Sequence, residues 1–223
     1  MLRVGLTGGI ASGKSAIGDV LVSLGAHLLK ADDIAHDLMR PGMPVYERVV
    51  QQFGTEILNP DKTIHRAKLA QAAFGGPNNP PRVQELNRIV HPAVLRAQEE
   101  WMDNIGGRDQ NAIAVVEAAL ILEAGARHQF DRLIVVTCRS EQRAQRLAAR
   151  LSISAEAALR EVERRMAAQL SDEEKIKSAD YVIDNSGLLE ESQKRAREIF
   201  ADLQRDLRSL ENGAHTKSDR MNS

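Results

Sequence analysis

Gly8-Gly9-Ile10-Ala11-Ser12-Gly13-Lys14-Ser15 fits G-x-x-x-x-G-K-[ST], the pattern of a phosphate-binding P-loop. Its flanks give the pattern its meaning. Residues 2–7 read as a short apolar strand, and the apolar residues at 17, 20, 21 and 24 lie on one helical face over 14–24. In a strand–loop–helix setting the backbone N–H groups of the loop turn inward around an anion, and the helix N-terminus adds the positive end of its dipole. The spacing makes Gly9, Ile10, Ala11, Ser12 and Gly13 the cradle. Lys14 reaches the β- and γ-phosphates, and the Ser15 hydroxyl takes a position on Mg²⁺. Together they imply a nucleoside triphosphate.

Outward from the loop, strands alternate with helices. Gly25 closes the first helix, and residues 26–29 form a second strand that ends at Lys30-Ala31-Asp32-Asp33, in the region of the first strand's loop. Ligand groups belong at the carboxyl ends of such strands. Either Asp32 or Asp33 could accept a proton from an attacking hydroxyl or hold a metal-bound water. Spacing alone does not separate that role from a solvated charge or a cap on a helix over 33–40. Residues 112–116 and 132–138 are apolar runs typical of parallel strands buried on both faces, and 181–184 is a last short strand. The strand over 112–116 ends at Glu117 rather than Asp, a weak match to a metal-holding acid.

This order implies a doubly wound parallel α/β sheet, with a core made of 1–30, 112–150 and 179–211. Residues 31–111 carry helical patterns over 45–53, 66–74 and 79–104, broken by turn clusters such as Asn59-Pro60-Asp61-Lys62 and closed by Gly106-Gly107. They read as a helical insertion. Pro92 should start or kink a helix within it. Residues 151–178 form a helical lid, with Ser140, Ser154 and Ser171 as N-caps at the lid and its approach. A final helix over 188–211 precedes a polar segment, 212–223, expected to be disordered.

Arg143, Arg146 and Arg150 form a stripe on the helix after 138, followed by Arg160, Arg164 and Arg165. Most such charges are solvated. A phosphoryl-transfer site nonetheless needs planar cations over the transferring group, so contact with phosphate is expected from at least one of Arg146, Arg150 and Arg165.

Composition narrows the classes. Lys+Arg 30 against Asp+Glu 31 and 3% aromatic residues argue against a nucleic-acid partner. No apolar run nears the ~18 residues of a membrane span, and the loop interrupts the N-terminal apolar run before it could serve as a signal peptide. The single cysteine, Cys138, suits a buried strand-end filler in a reducing, cytoplasmic setting.

From about residue 2 to 205 the chain resembles the dephospho-coenzyme A kinase family. The resemblance rests on Leu6-Thr7 with the P-loop, Leu24-Gly25, Ala31-Asp32-Asp33-Ile34-Ala35, Phe53-Gly54 and His91-Pro92. It continues through Leu120-Ile121-Leu122-Glu123, Arg165-Met166-Ala167-Ala168-Gln169 and the stretch from Ala179 to Gly187. It implies transfer of phosphate from ATP, with Mg²⁺, to the ribose 3′-hydroxyl of dephospho-CoA, by a monomer or weak homo-oligomer. By the same resemblance Asp32 is the base and Arg150 the lid arginine. His91, Arg165 and Gln169 meet substrate, and Asn185 lies near adenine. Two departures stand out: Lys30 occupies the place of the family's first acid, beside the proposed base, and Ala119-Leu120-Ile121 replaces Pro-Leu-Leu. A nucleoside monophosphate kinase would share the loop, insertion and lid. A guanine-nucleotide switch would want Asn-Lys-x-Asp, which is absent from the sequence.

Overall fold

The computed structural model describes residues 1–75 and 80–221, with side chains to residue 209, so the segment expected to be disordered over 212–223 lies outside the fully described residues. The chain divides into two compact units, Met1–Leu29 with Met102–Ser223, and Lys30–Trp101.

The first unit is built on a five-stranded sheet of β1 (Leu2–Thr7), β2 (His27–Lys30), β3 (Ile113–Glu117), β4 (Arg132–Thr137) and β5 (Tyr181–Asp184), in the order β2-β3-β1-β4-β5. β1 pairs in parallel with β3 and β4, and β4 with β5. β3 therefore stands between β1 and β2, which are not neighbours. Leu6 is level with Glu117 and Thr137 with Asp184, so the chemistry-bearing strand ends share one edge.

The apolar runs of β3 and β4 are buried because both faces are covered. On one face Leu2, Val4, Leu6, Val115 and Ile134 pack with Ile17 and Leu21 of α1 (Lys14–Ser23) and Ile199, Phe200 and Leu203 of the C-terminal helix, Leu189–Met221. On the other, Gly5 lies against Leu133, Ile121 and Phe130. This is the expected parallel α/β class.

α6 (Ser140–Leu151) and α7 (Ala155–Ala167) form a hairpin whose apolar faces meet in Ile10, Leu147, Ala158 and Val162. Ser152, in a left-handed conformation with φ 53°, makes the turn between them. Ser140 is not the cap of α6 as expected. It is the first helical residue, and Gln142 reaches back to the Arg139 N–H at 3.3 Å instead. Ser154 caps α7 as expected, and Ser171 and Glu174 form the expected capping box at α8 (Asp172–Lys177). No helix among the described residues is long and apolar enough to cross a membrane.

The second unit is helical: α2 (Ala31–Leu38), α3 (Pro44–Phe53), α4 (Arg66–Phe74) and most of α5 (Val83–Arg108). Pro92 does not start a helix; α5 runs through it, as the helical pattern over 79–104 implied. The missing N–H costs one backbone bond, which burial of Ile89, Val90 and Val94 around it and Met102 further along offsets. Against expectation, Gly106-Gly107 does not end the helix, which reaches Arg108 with Asp109 N–H still bonded to the Ile105 carbonyl at 2.9 Å. At Gly106 the place of a Cβ lies 3.3 Å from the Met1 thioether, so the glycine gives the N-terminus room to pack.

Candidate active site

The P-loop leaves β1 and enters α1 with Ala11 at φ 53° and Gly13 at φ 100°, the alternation that turns successive N–H groups to one side. At Gly13 a side chain would meet both a left-handed backbone and the Asn185 amide, so only glycine fits.

The carbonyls of the loop are all engaged. The Lys14 ammonium donates to Gly8 O and Gly9 O, each at 3.0 Å. The Arg143 guanidinium donates to Ile10 O at 3.2 Å. That of Arg146 donates to Ala11 O at 3.5 Å and Ser12 O at 3.2 Å, and also to Asn185 O at 2.8 Å. The Asn185 side-chain amide donates to Ser12 O at 2.9 Å, while its own oxygen accepts from Ser192 at 2.9 Å. Asn185, expected near adenine, is thus buried with its side chain spent on the loop.

At the carboxyl end of β3, the Ser15 hydroxyl donates to Glu117 Oε1 at 2.7 Å. Glu117 Oε2, Ser12 Oγ and Thr7 Oγ1 are buried with no hydrogen-bond partner. Three orphaned oxygens around an N–H cradle are costly unless a ligand satisfies them, and hard oxygen donors of this kind suit Mg²⁺ with retained waters and phosphate oxygens. No group of three or more His, Cys, Asp or Glu side chains among the described residues could hold a metal. A Mg²⁺ held by one carboxylate, one hydroxyl and substrate phosphates needs none.

Of the other expected residues in this unit, Arg150 is exposed on the last turn of α6, one turn beyond Arg146. Arg165 is exposed and paired with Glu161 at 2.6 Å. Gln169 is half-buried, and its side-chain oxygen accepts from Lys175 at 3.4 Å. Lys175 is itself fully buried, 3.1 Å from Glu123. Cys138 is buried; burial pushes its thiol pKa up against the opposing pull of Arg143 and Arg146.

In the second unit α2 starts at Ala31, two residues earlier than expected. Asp32 and Asp33 therefore lie in its first turn, exposed, where the helix dipole favours anions. Lys30 is the N-cap position. His91 is half-buried on α5, and burial holds its pKa below the ordinary imidazole value.

Two residues sit closer to the P-loop than their sequence signals imply. Glu117, a weak match to a metal-holding acid at the end of an apolar strand pattern, accepts from Ser15. Arg143 sits four residues before Leu147 on the buried stripe of α6, and a charge on that stripe was its only signal.

A dephospho-CoA kinase family model matches residues 2–191. The chain is 38% identical over 206 residues to a dephospho-CoA kinase of Aquifex aeolicus, covering 92% of this chain and all of that one. It is 40% identical over 192 residues to that of Carboxydothermus hydrogenoformans, 86% of this chain and 89% of the relative. A Thermus thermophilus crystal structure superposes with a TM-score of 0.71 at 30% identity, over 91% of this chain and 97% of that one. The dephospho-CoA kinase of Campylobacter jejuni, at 24% identity and a TM-score of 0.64 over 92% of this chain and 98% of that one, shares the fold.

Proposed function

The chain belongs to the dephospho-CoA kinase family, and from that premise we infer how its residues divide the work of phosphorylating dephospho-CoA with ATP as donor. The observation that carries the division is the P-loop with every carbonyl captured and its oxygen-lined edge at Ser15 and Glu117 left for a ligand.

The N–H face of residues 9–15 binds the ATP phosphates, and Lys14 exchanges its carbonyl partners for phosphate oxygens. Ser15 and Glu117 are the residues that would hold Mg²⁺, and the ion would supply charge neutralisation on the phosphates. A ribose hydroxyl is a weak nucleophile, so most of the catalysis lies in placing it in line with the γ-phosphorus and stabilising charge. Asp32 serves as the base: it is exposed at the carboxyl end of β2, on the first turn of α2. Arg146 is committed to the loop and Asn185. Arg150, one turn further along α6 and exposed, is the arginine for the transferring phosphate. His91, Arg165 and Gln169 contact dephospho-CoA. The enzyme works in the cytoplasm, as a monomer or weak homo-oligomer without a nucleic-acid partner. The near-zero net charge and the lone buried thiol support this.

The test is phosphate transfer from ATP to dephospho-CoA by the purified chain, with nucleoside monophosphates as competing acceptors. Turnover of a monophosphate and none of dephospho-CoA overturns the assignment. Asp32→Asn should cut kcat ~100-fold or more while ATP still binds. Near-normal turnover removes Asp32 from the role of base.

A further inference from the structure

Arg143 is a costly residue where it stands. Its side chain is 1% exposed, and taking a cation out of water costs several kcal/mol before its partners repay it. An apolar side chain beside Leu147 would fill the same space on α6 without that cost. What the cation touches suggests its purpose. Nη1 donates to Ile10 O at 3.2 Å, Nη2 donates to Cys138 O at 3.3 Å, and Nη2 also pairs with the Asp172 carboxylate. The guanidinium lies so close under the P-loop that a Cβ on Gly9 would collide with it.

The geometry follows from the chain's need to point two sets of dipoles in opposite directions. For the loop's N–H groups to face phosphate, its carbonyls must face away, into protein, where each needs a donor. Ala11 O and Ser12 O have Arg146 and Asn185. Ile10 O has Arg143. If that donor were lost, the Ile10 peptide could relieve its buried carbonyl only by rotating, which would carry the neighbouring N–H out of the cradle. Arg143 also places a full positive charge just outside the anion site, and Asp172, at the start of α8, holds the fork in register.

We propose that Arg143, braced by Asp172, is a positioning residue that holds the P-loop in its anion-binding shape and strengthens binding of the ATP phosphates. This rests on the reading of the loop as the ATP site.

Direct calorimetric titration of ATP into the full chain tests it, alongside kcat, the KM for dephospho-CoA and the melting temperature. Arg143→Met should weaken ATP binding about tenfold, the size of one lost charge-assisted hydrogen bond, with the KM for dephospho-CoA changed less than about twofold. Arg143→Gln keeps an amide donor for Ile10 O and should be weakened only about threefold. A purely structural role would lower the melting temperature and leave ATP affinity alone. ATP binding within twofold of wild type in Arg143→Met, whatever its melting temperature, overturns the proposal. Should that variant not fold, the same result in Arg143→Gln does so. Failure of the wild-type chain to bind ATP would instead refute the reading of the loop.

Discussion

Replacing Lys175 by Met should destabilise the first unit by an amount the structure allows to be estimated. Lys175 is fully buried on α8, with its ammonium 3.1 Å from Glu123 Oε1 and 3.4 Å from both Ala119 O and Gln169 Oε1. Methionine fills nearly the same volume, so packing loss is small, and the cost falls on Glu123. Removing one partner of a buried pair costs ~3–5 kcal/mol because the other charge is left without compensation. Glu123 is 16% exposed and keeps the Leu170 N–H at 2.9 Å, while its second oxygen has no partner. Some water contact and one retained donor point to the lower end, about 3 kcal/mol. At roughly 2–4 °C per kcal/mol for a chain of this size, the melting temperature should fall about 6–12 °C. Calorimetry at pH 7 reads it directly, and urea unfolding gives the free energy. Lys175→Met with Glu123→Leu removes both charges and should recover most of the loss, to within about 1 kcal/mol of wild type. A single variant melting within 2 °C of wild type, or a double variant worse than the single, would refute the reasoning. Because Gln169 loses its lysine partner in both variants, the KM for dephospho-CoA should rise in both even where stability is regained.

Glu117→Gln keeps an acceptor for the Ser15 hydroxyl but removes the charge. The Mg²⁺ concentration for half-maximal rate should rise about tenfold with little change in melting temperature, and an unchanged Mg²⁺ titration would take Glu117 out of the metal site. Arg150→Ala should lower kcat more than it raises the KM for dephospho-CoA; the reverse pattern would make Arg150 a substrate anchor. Burial depresses the His91 pKa below 6.5, so the unfolded chain takes up more protons as pH falls through that value. Stability should therefore decline as pH drops below about 6.5 and level off beneath the folded pKa. Urea midpoints from pH 7.5 to 5 should show that slope in wild type and a shallower one in His91→Gln, and equal slopes would contradict it. Burial raises the Cys138 pKa, so iodoacetamide at pH 7 should modify it only on unfolding, and fast labelling of the native chain would argue otherwise.

The P-loop, the strand–helix alternation and the expected class were legible because they are local. Gly13 must be glycine for a backbone angle its own neighbours impose, and β3 and β4 advertise burial on both faces through continuous apolar runs. The end of α5 lies beyond its expected place for the same reason: Gly106-Gly107 is a local stop signal, and the packing of Met1 on Gly106 is a long-range term that outweighs it. Placing β3 between β1 and β2 was likewise beyond local pattern, since strand order depends on pairing between distant segments.

By itself the sequence marked the candidate phosphate cradle, because the pattern of such a loop is written in eight consecutive residues. Only the tertiary structure decided what holds that cradle open. Arg143 and Arg146 come from α6, Asn185 from beyond β5, and Glu117 from the end of β3, up to 173 residues from the loop they serve. A buried carbonyl needs a donor within about 3 Å, and nothing in its own stretch of chain says which distant residue the fold will bring there.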